Sequence, residues 1–140
     1  ALMTFMRFTE DLKHALPDRL TEVVSLTVAT VYENDYERVQ HERLSLKLGF
    51  GEAWARGVIS LKADGSGGMS EAEILAQKLT LAVIERHGHN TNVELEAVIK
   101  AVGHEQAIAM LMLIGRYVTH AIIVNSLNLA PPVPSPLSPK

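Results

Sequence analysis

Nowhere in these 140 residues do apolar and polar side chains alternate with the period of two that a half-buried strand requires. Apolar residues recur at three- and four-residue spacings instead, in segments divided by capping residues and glycines. The chain is therefore expected to be all-α. Helices are expected over residues 9–16, 19–32, 35–48, 52–61, 71–87 and 104–129, with another capped at Thr91 and ending near Val102. Pro17 ends the first helix, and Asp18 offers a cap for the second. That second segment is rich in β-branched residues (Val23, Val24, Val28, Val31), so a strand competes. Its length and lack of alternation favour helix. Asn34 or Asp35 caps the third helix and Gly49 stops it. Ser70 with Glu73, and Thr91 with Glu94, repeat the Ser/Thr-x-x-Glu pattern of a capping box. Residues 63–68, Ala-Asp-Gly-Ser-Gly-Gly, read as a flexible connector. They lack the Lys-Ser/Thr ending of a phosphate loop, and no strand precedes them.

The length suits one domain, residues 1–130, followed by a tail at 131–140 that holds five of the six prolines. Such a tail is extended, near polyproline II. The interleaved Val133 and Leu137 favour an arm lying across another subunit over a free end. A net charge of −3 gives no basic surface, so nucleic acid is not an expected partner. There is no cysteine, which removes disulfides, thiolate nucleophiles and sulfur-ligated zinc, and fits a cytoplasmic location. The first seven residues lack the basic start and apolar run of a signal peptide. Residues 107–130 are apolar enough to raise a membrane reading. Arg116, His120 and Asn125 interrupt them on several faces, so a helix buried in protein is expected instead. Its apolar positions form two stripes, at 107, 111, 114, 118, 122 and 129, and at 113, 124 and 127. Covering both calls for a second subunit, so a homo-oligomer is expected.

The segment richest in chemistry is Asn34-Asp35-Tyr36-Glu37-Arg38-Val39-Gln40-His41. Glu37 and His41 are four apart and share a helix face. Continued, that spacing reaches Leu44 and Leu48, so the face is expected to turn inward, with Arg38, Glu42 and Ser45 left to solvent. Glu22 on the preceding helix either sits at the exposed helix start or points into a pocket. Periodicity alone favours the exposed position. His120 shares a face with Leu113, Val124 and Leu127, as a core or interface histidine would. Arg116 either pairs with a carboxylate at an interface or binds a substrate carboxylate. Glu22, Glu37 and His41 are also chemically able to hold a divalent metal, but nothing else in the motif requires one. His87 and His89 lack a third ligand, so no metal site and no cofactor is expected. Trp54 reads as a packing residue.

The spacing Glu22, Asn34, Glu37, His41 resembles the core motif of the carboxymuconolactone decarboxylase and alkylhydroperoxidase D-like superfamily. Its peroxidases carry a Glu ahead of a Cys-x-x-Cys-x-x-x-His stretch. Asn34 and Glu37 stand at the two cysteine positions here, as in the cysteine-free, decarboxylase-like branch. The run Gly115-Arg116-Tyr117-Val118-Thr119-His120-Ala121, then Asn125-Ser126-Leu127 and the proline-rich tail, is similar to the C-terminal part of that branch. The resemblance implies an all-α bundle assembled as a trimer or hexamer. It implies acid–base, lyase-like chemistry on a small acidic or carbonyl substrate, rather than thiol peroxidase activity. It also implies that Glu22, Glu37 and His41 converge as catalytic residues, with His120, Tyr36 and Arg116 as candidate substrate contacts. The alternatives are a non-catalytic oligomeric ligand- or partner-binding protein on the same fold, and a divergent alkylhydroperoxidase-like protein related to antioxidant defence.

Overall fold

The computed structural model describes residues 1–137. Among them are seven α-helices and no strand: α1 Leu2–Ala15, α2 Asp18–Val31, α3 Asp35–Lys47, α4 Glu52–Ile59, α5 Glu71–Arg86, α6 Asn92–Val102 and α7 His104–Ser126. Helix α2 is the hub. It packs on α3, α4, α5 and α7, and every residue from Leu20 to Ala29 is buried. Its β-branched residues are poor helix formers taken alone. Tertiary burial on all sides offsets their low propensity. Of its hydroxyls, Thr21, Ser25 and Thr30 each donate to the carbonyl four residues back, while Thr27 accepts from Gln77 on α5 at 3.0 Å.

Several boundaries differ from the sequence expectation. Helix α1 begins at Leu2, not near Thr9, because Phe5, Thr9, Leu12 and Leu16 follow one continuous face toward the core. Asp18 lies inside the first turn of α2 rather than capping it, and Thr21 N–H is satisfied by the Pro17 carbonyl. The capping box at Ser70 and Glu73 forms in full. Glu73 also accepts from Arg19 at 3.0 Å and from the buried Trp54 indole at 2.9 Å, so this cap ties the α2 start to α4 and α5. The second box does not form. Thr91 donates to the Gly88 carbonyl instead, and Glu94 pairs with Arg86 at 2.7 Å. Helix α7 stops at Ser126, three residues before its expected end.

Residues 63–68 are not a loose connector. They dock on α4 through two glycines. A Cβ on Gly57 would lie 2.0 Å from the Ser66 carbonyl oxygen, and one on Gly67 would lie 2.0 Å from that of Ala53. Gly67 also needs its φ of 73°. Gly57→Ala is therefore expected to destabilise the protein by about 1–3 kcal/mol through overpacking. Urea denaturation checks this, and unchanged stability would mean that the loop is not clamped there.

The tail turns back onto its own chain. Ser135 Oγ donates to Glu42 Oε1 at 2.7 Å, and Leu137 is buried. The remainder of the expected arm, 138–140, lies outside the described residues. Of the two apolar stripes on α7, Ala107, Leu113, Ile114 and Val124 are buried within the chain, whereas Ile122, Leu127 and Leu129 stay exposed. Ile108, Met112 and Ile123 extend that uncovered surface. Helix α7 is long and apolar enough to cross a bilayer, yet 50% of its apolar window is buried in protein.

Candidate functional site

Helix α3 starts where Asn34, itself buried, accepts the backbone N–H of Glu37 through its side chain. This cap fixes the first turn and leaves the Glu37 carboxylate to point sideways, toward α2 and α7. His41 follows one turn later. Its Nδ1 lies 2.7 Å from Glu22 Oε1 on α2, and its Nε2 lies 3.0 Å from Glu37 Oε2. Glu22 is thus buried, against the exposed position that periodicity favours. The short α2–α3 turn folds the two helices antiparallel and brings these side chains together.

Donor counting sets the protonation state. Ionised carboxylates only accept hydrogen bonds, so an imidazole placed between two of them satisfies both only when both ring nitrogens carry hydrogen. Burial by itself lowers the His41 pKa. Tyr117, whose ring meets it edge-on at 5.3 Å, and the two carboxylates outweigh burial and raise it well above the usual histidine value. Burial likewise pushes Glu37 up, but the His41 hydrogen bond and the charges of His41, His120 and Arg116 bring it below the usual carboxylate range. The centre at neutral pH is a carboxylate–imidazolium–carboxylate sandwich.

Helix α7 closes the site. His120 Nε2 lies 3.5 Å from Glu37 Oε1, beyond a full hydrogen bond. Arg116 donates from Nη1 to His120 Nδ1 at 2.9 Å and from Nε to Thr9 Oγ1 at 2.5 Å. Burial holds the His120 pKa below its ordinary value, against the pull of Glu37 and with the push of Arg116 and His41. Two carboxylates, one imidazolium and one guanidinium then balance, which suits a site taken out of water. Side-chain exposure rises along the chain of contacts, from 2% at Glu22, 4% at His41 and 6% at Glu37 to 21% at His120. Solvent therefore meets this network at its His120 end.

Of the six residues singled out from sequence, the structure gathers Glu22, Glu37, His41, His120 and Arg116. Tyr36 is half-buried, about 100° around α3 from Glu37, and takes no part in the network. Within the chain, Arg116 bonds to Thr9 and His120. The inward continuation of the site face through Leu48 does not occur: Leu48 is 41% exposed, while Glu42 and Ser45, expected in solvent, are fully buried. At Glu42 the tail contributes to this burial. Glu42 is covered by Ser135 on one oxygen and held by Arg38 at 2.6 Å on the other. Sequence reasoning missed Tyr117 and Thr9. Tyr117 had a signal, since it lies four residues after Leu113 on the buried face of α7, whereas Thr9 is more than a hundred residues from its partner.

Among the described residues, no group of three or more His, Cys, Asp or Glu side chains is arranged to hold a metal ion. Five surface clefts of about 260–530 Å³ lie elsewhere, and none is lined by Glu22, Glu37 or His41. No protein-family model, curated protein or solved structure matches the chain.

Proposed function

We propose that the chain is a carboxymuconolactone decarboxylase-like acid–base catalyst, acting on a small acidic or carbonyl substrate as a cytoplasmic homo-oligomer. The observation that carries this reading is His41 held between Glu22 and Glu37 at 2.7 and 3.0 Å inside the protein. Buried ionisable groups with displaced pKa values concentrate at catalytic sites. The roles follow from the hydrogen bonds. Both nitrogens of His41 are engaged, so His41 does not meet substrate directly. Glu37 Oε2 receives the His41 hydrogen, and Oε1 is the oxygen left for substrate. In a decarboxylation, the carbon–carboxylate bond breaks and carbon dioxide leaves. Glu37 delivers from Oε1 a proton it has taken up there beforehand, forming the new C–H bond and returning to the carboxylate to which His41 donates. Solvent restores that proton through His120. Glu22 keeps its charge opposite His41 and holds the ring in place.

The test is turnover of small carboxylated lactones and β-keto acids in D2O. The expected result is release of carbon dioxide with deuterium at the vacated carbon, lost in Glu37→Gln. Binding of such acids without conversion would leave the second reading, a non-catalytic oligomeric binder. One observation favours that alternative: no substrate-sized cleft among the five is lined by the sandwich. A neighbouring subunit laid over the exposed apolar residues of α1 and α7 is our account of how the His120 end becomes enclosed. Light scattering at micromolar concentration is accordingly expected to report a trimer or hexamer, and a 15.3 kDa species would overturn the assembly.

A further inference from the structure

Arg116 is the second buried cation of this site, yet unlike His41 it makes no ion pair with a carboxylate within 4 Å among the described residues. Its guanidinium lies between two aromatic faces, 4.6 Å from the Phe5 ring centroid and 4.5 Å from that of Tyr117. Its Nε is taken by Thr9, whose own hydroxyl hydrogen goes to the Phe5 carbonyl at 3.0 Å. Two rings and a hydroxyl on α1 thus fix the plane of the group. A side chain held in this way is poorly placed to swing toward a substrate carboxylate. Its Nη1 meets His120 Nδ1 at 2.9 Å.

Arginine is a donor only. The His120 Nδ1 it meets must therefore be the acceptor and carry no hydrogen. The single ring hydrogen of neutral His120 then lies on Nε2, the atom facing Glu37 Oε1 at 3.5 Å. We infer that Arg116 is a positioning residue, which holds His120 as the neutral Nε2–H tautomer and so aims a proton donor at the one oxygen of Glu37 that His41 does not occupy. The gap between Nε2 and Oε1 then has a donor on one side and an acceptor on the other. A group that both accepts and donates, such as a hydroxyl, an enol or a water molecule relaying a proton, can meet this pair from beside it, not from between the two atoms. This catalytic role rests on the acid–base reading above, whereas the tautomer stands on hydrogen-bond chemistry alone. The charged and titratable groups bearing on His120 are Glu37 and His41 from α3 and Arg116 from α7; from α1 it meets the Phe5 ring edge-on at 6.3 Å.

Nitrogen NMR of the imidazole rings tests the inference on the intact chain without substrate. At pH 7 His120 is expected to show an unprotonated Nδ1 and a protonated Nε2. A predominant Nδ1–H form, or a charged ring, would overturn the proposal. In Arg116→Gln, with helical content checked by circular dichroism, the tautomers are expected to mix. The His120 titration is expected to move up, because a neighbouring cation is gone. Arg116→Lys, which keeps the charge but not the fork, should restore the titration more fully than the tautomer. Thr9→Val is a milder second variant if Arg116→Gln fails to fold, and should loosen the same preference. On a substrate found in the panel, loss of positioning lowers kcat, whereas a substrate clamp raises KM with the tautomer unchanged. That second pattern would also overturn the role. A confirmed tautomer with no turnover would sink the acid–base reading alone.

Discussion

Glu22→Ala is expected to destabilise the protein by about 3–5 kcal/mol, the usual cost of removing one partner from a buried ion pair. The substitution leaves His41 buried with one carboxylate in place of two, beside a cavity lined by polar atoms. The cost should depend on pH in a definite direction. The folded-state pKa of His41 is raised, so its contribution is complete below the unfolded value of about 6.5 and is lost as pH rises through the folded value. The gap between wild type and variant should therefore be widest near pH 6 and narrow in alkaline solution. Glu37 acts in the opposite sense. Its pKa is lowered, so its contribution is present above the unfolded value of about 4.3 and fades as pH falls through the folded one. Wild-type stability should peak between these limits and decline on either side. Urea denaturation at about pH 3, 6 and 9 checks both statements. Glu22→Gln, close in shape, keeps an acceptor for His41 and should lose less than Glu22→Ala. An equal, small loss at both pH values would mean that His41 is neutral in the folded protein.

Glu37→Gln is expected to lower kcat/KM by about 10²–10⁴-fold on a true substrate, the range associated with positioned acid–base groups. The amide still accepts from His41 Nε2, so the fold should survive, but it cannot take up a proton and give it back. The loss should fall mainly in kcat if Glu37 acts on the reacting carbon. Tyr36→Phe is the contrast. Tyr36 precedes Glu37 in sequence but stands on another face of α3, so its effect should stay within about twofold, a negligible change in barrier. If Tyr36→Phe matched Glu37→Gln in effect, the site would lie further around α3 than the hydrogen bonds indicate.

The all-α class was legible because a period near 3.6 and the absence of alternation are local properties, carried by neighbours along the chain. The i,i+4 relation of Glu37 and His41, and the box at Ser70 and Glu73, were legible for the same reason: a helix fixes such spacings before anything packs. What periodicity could not decide was which side of α3 is inside. Glu42 and Ser45 read as solvated and Leu48 as buried, and each is the reverse. The tail returns from more than ninety residues away to cover one side of α3, while α2 covers the other. Glu22 read as exposed because a carboxylate in a first turn is favourable near the positive helix end. Its burial depends on the imidazolium opposite, and the resemblance to a known motif, not the period, pointed to that partner. The same limit governs the His120 end of the site. The sequence placed Arg116 and His120 four apart on one helix, which is local geometry. That Arg116 bonds to Thr9 and lies between Phe5 and Tyr117 was decided only when α1 docked on α7, because a hydrogen bond or a ring contact across a hundred residues leaves no periodic trace in the chain that makes it.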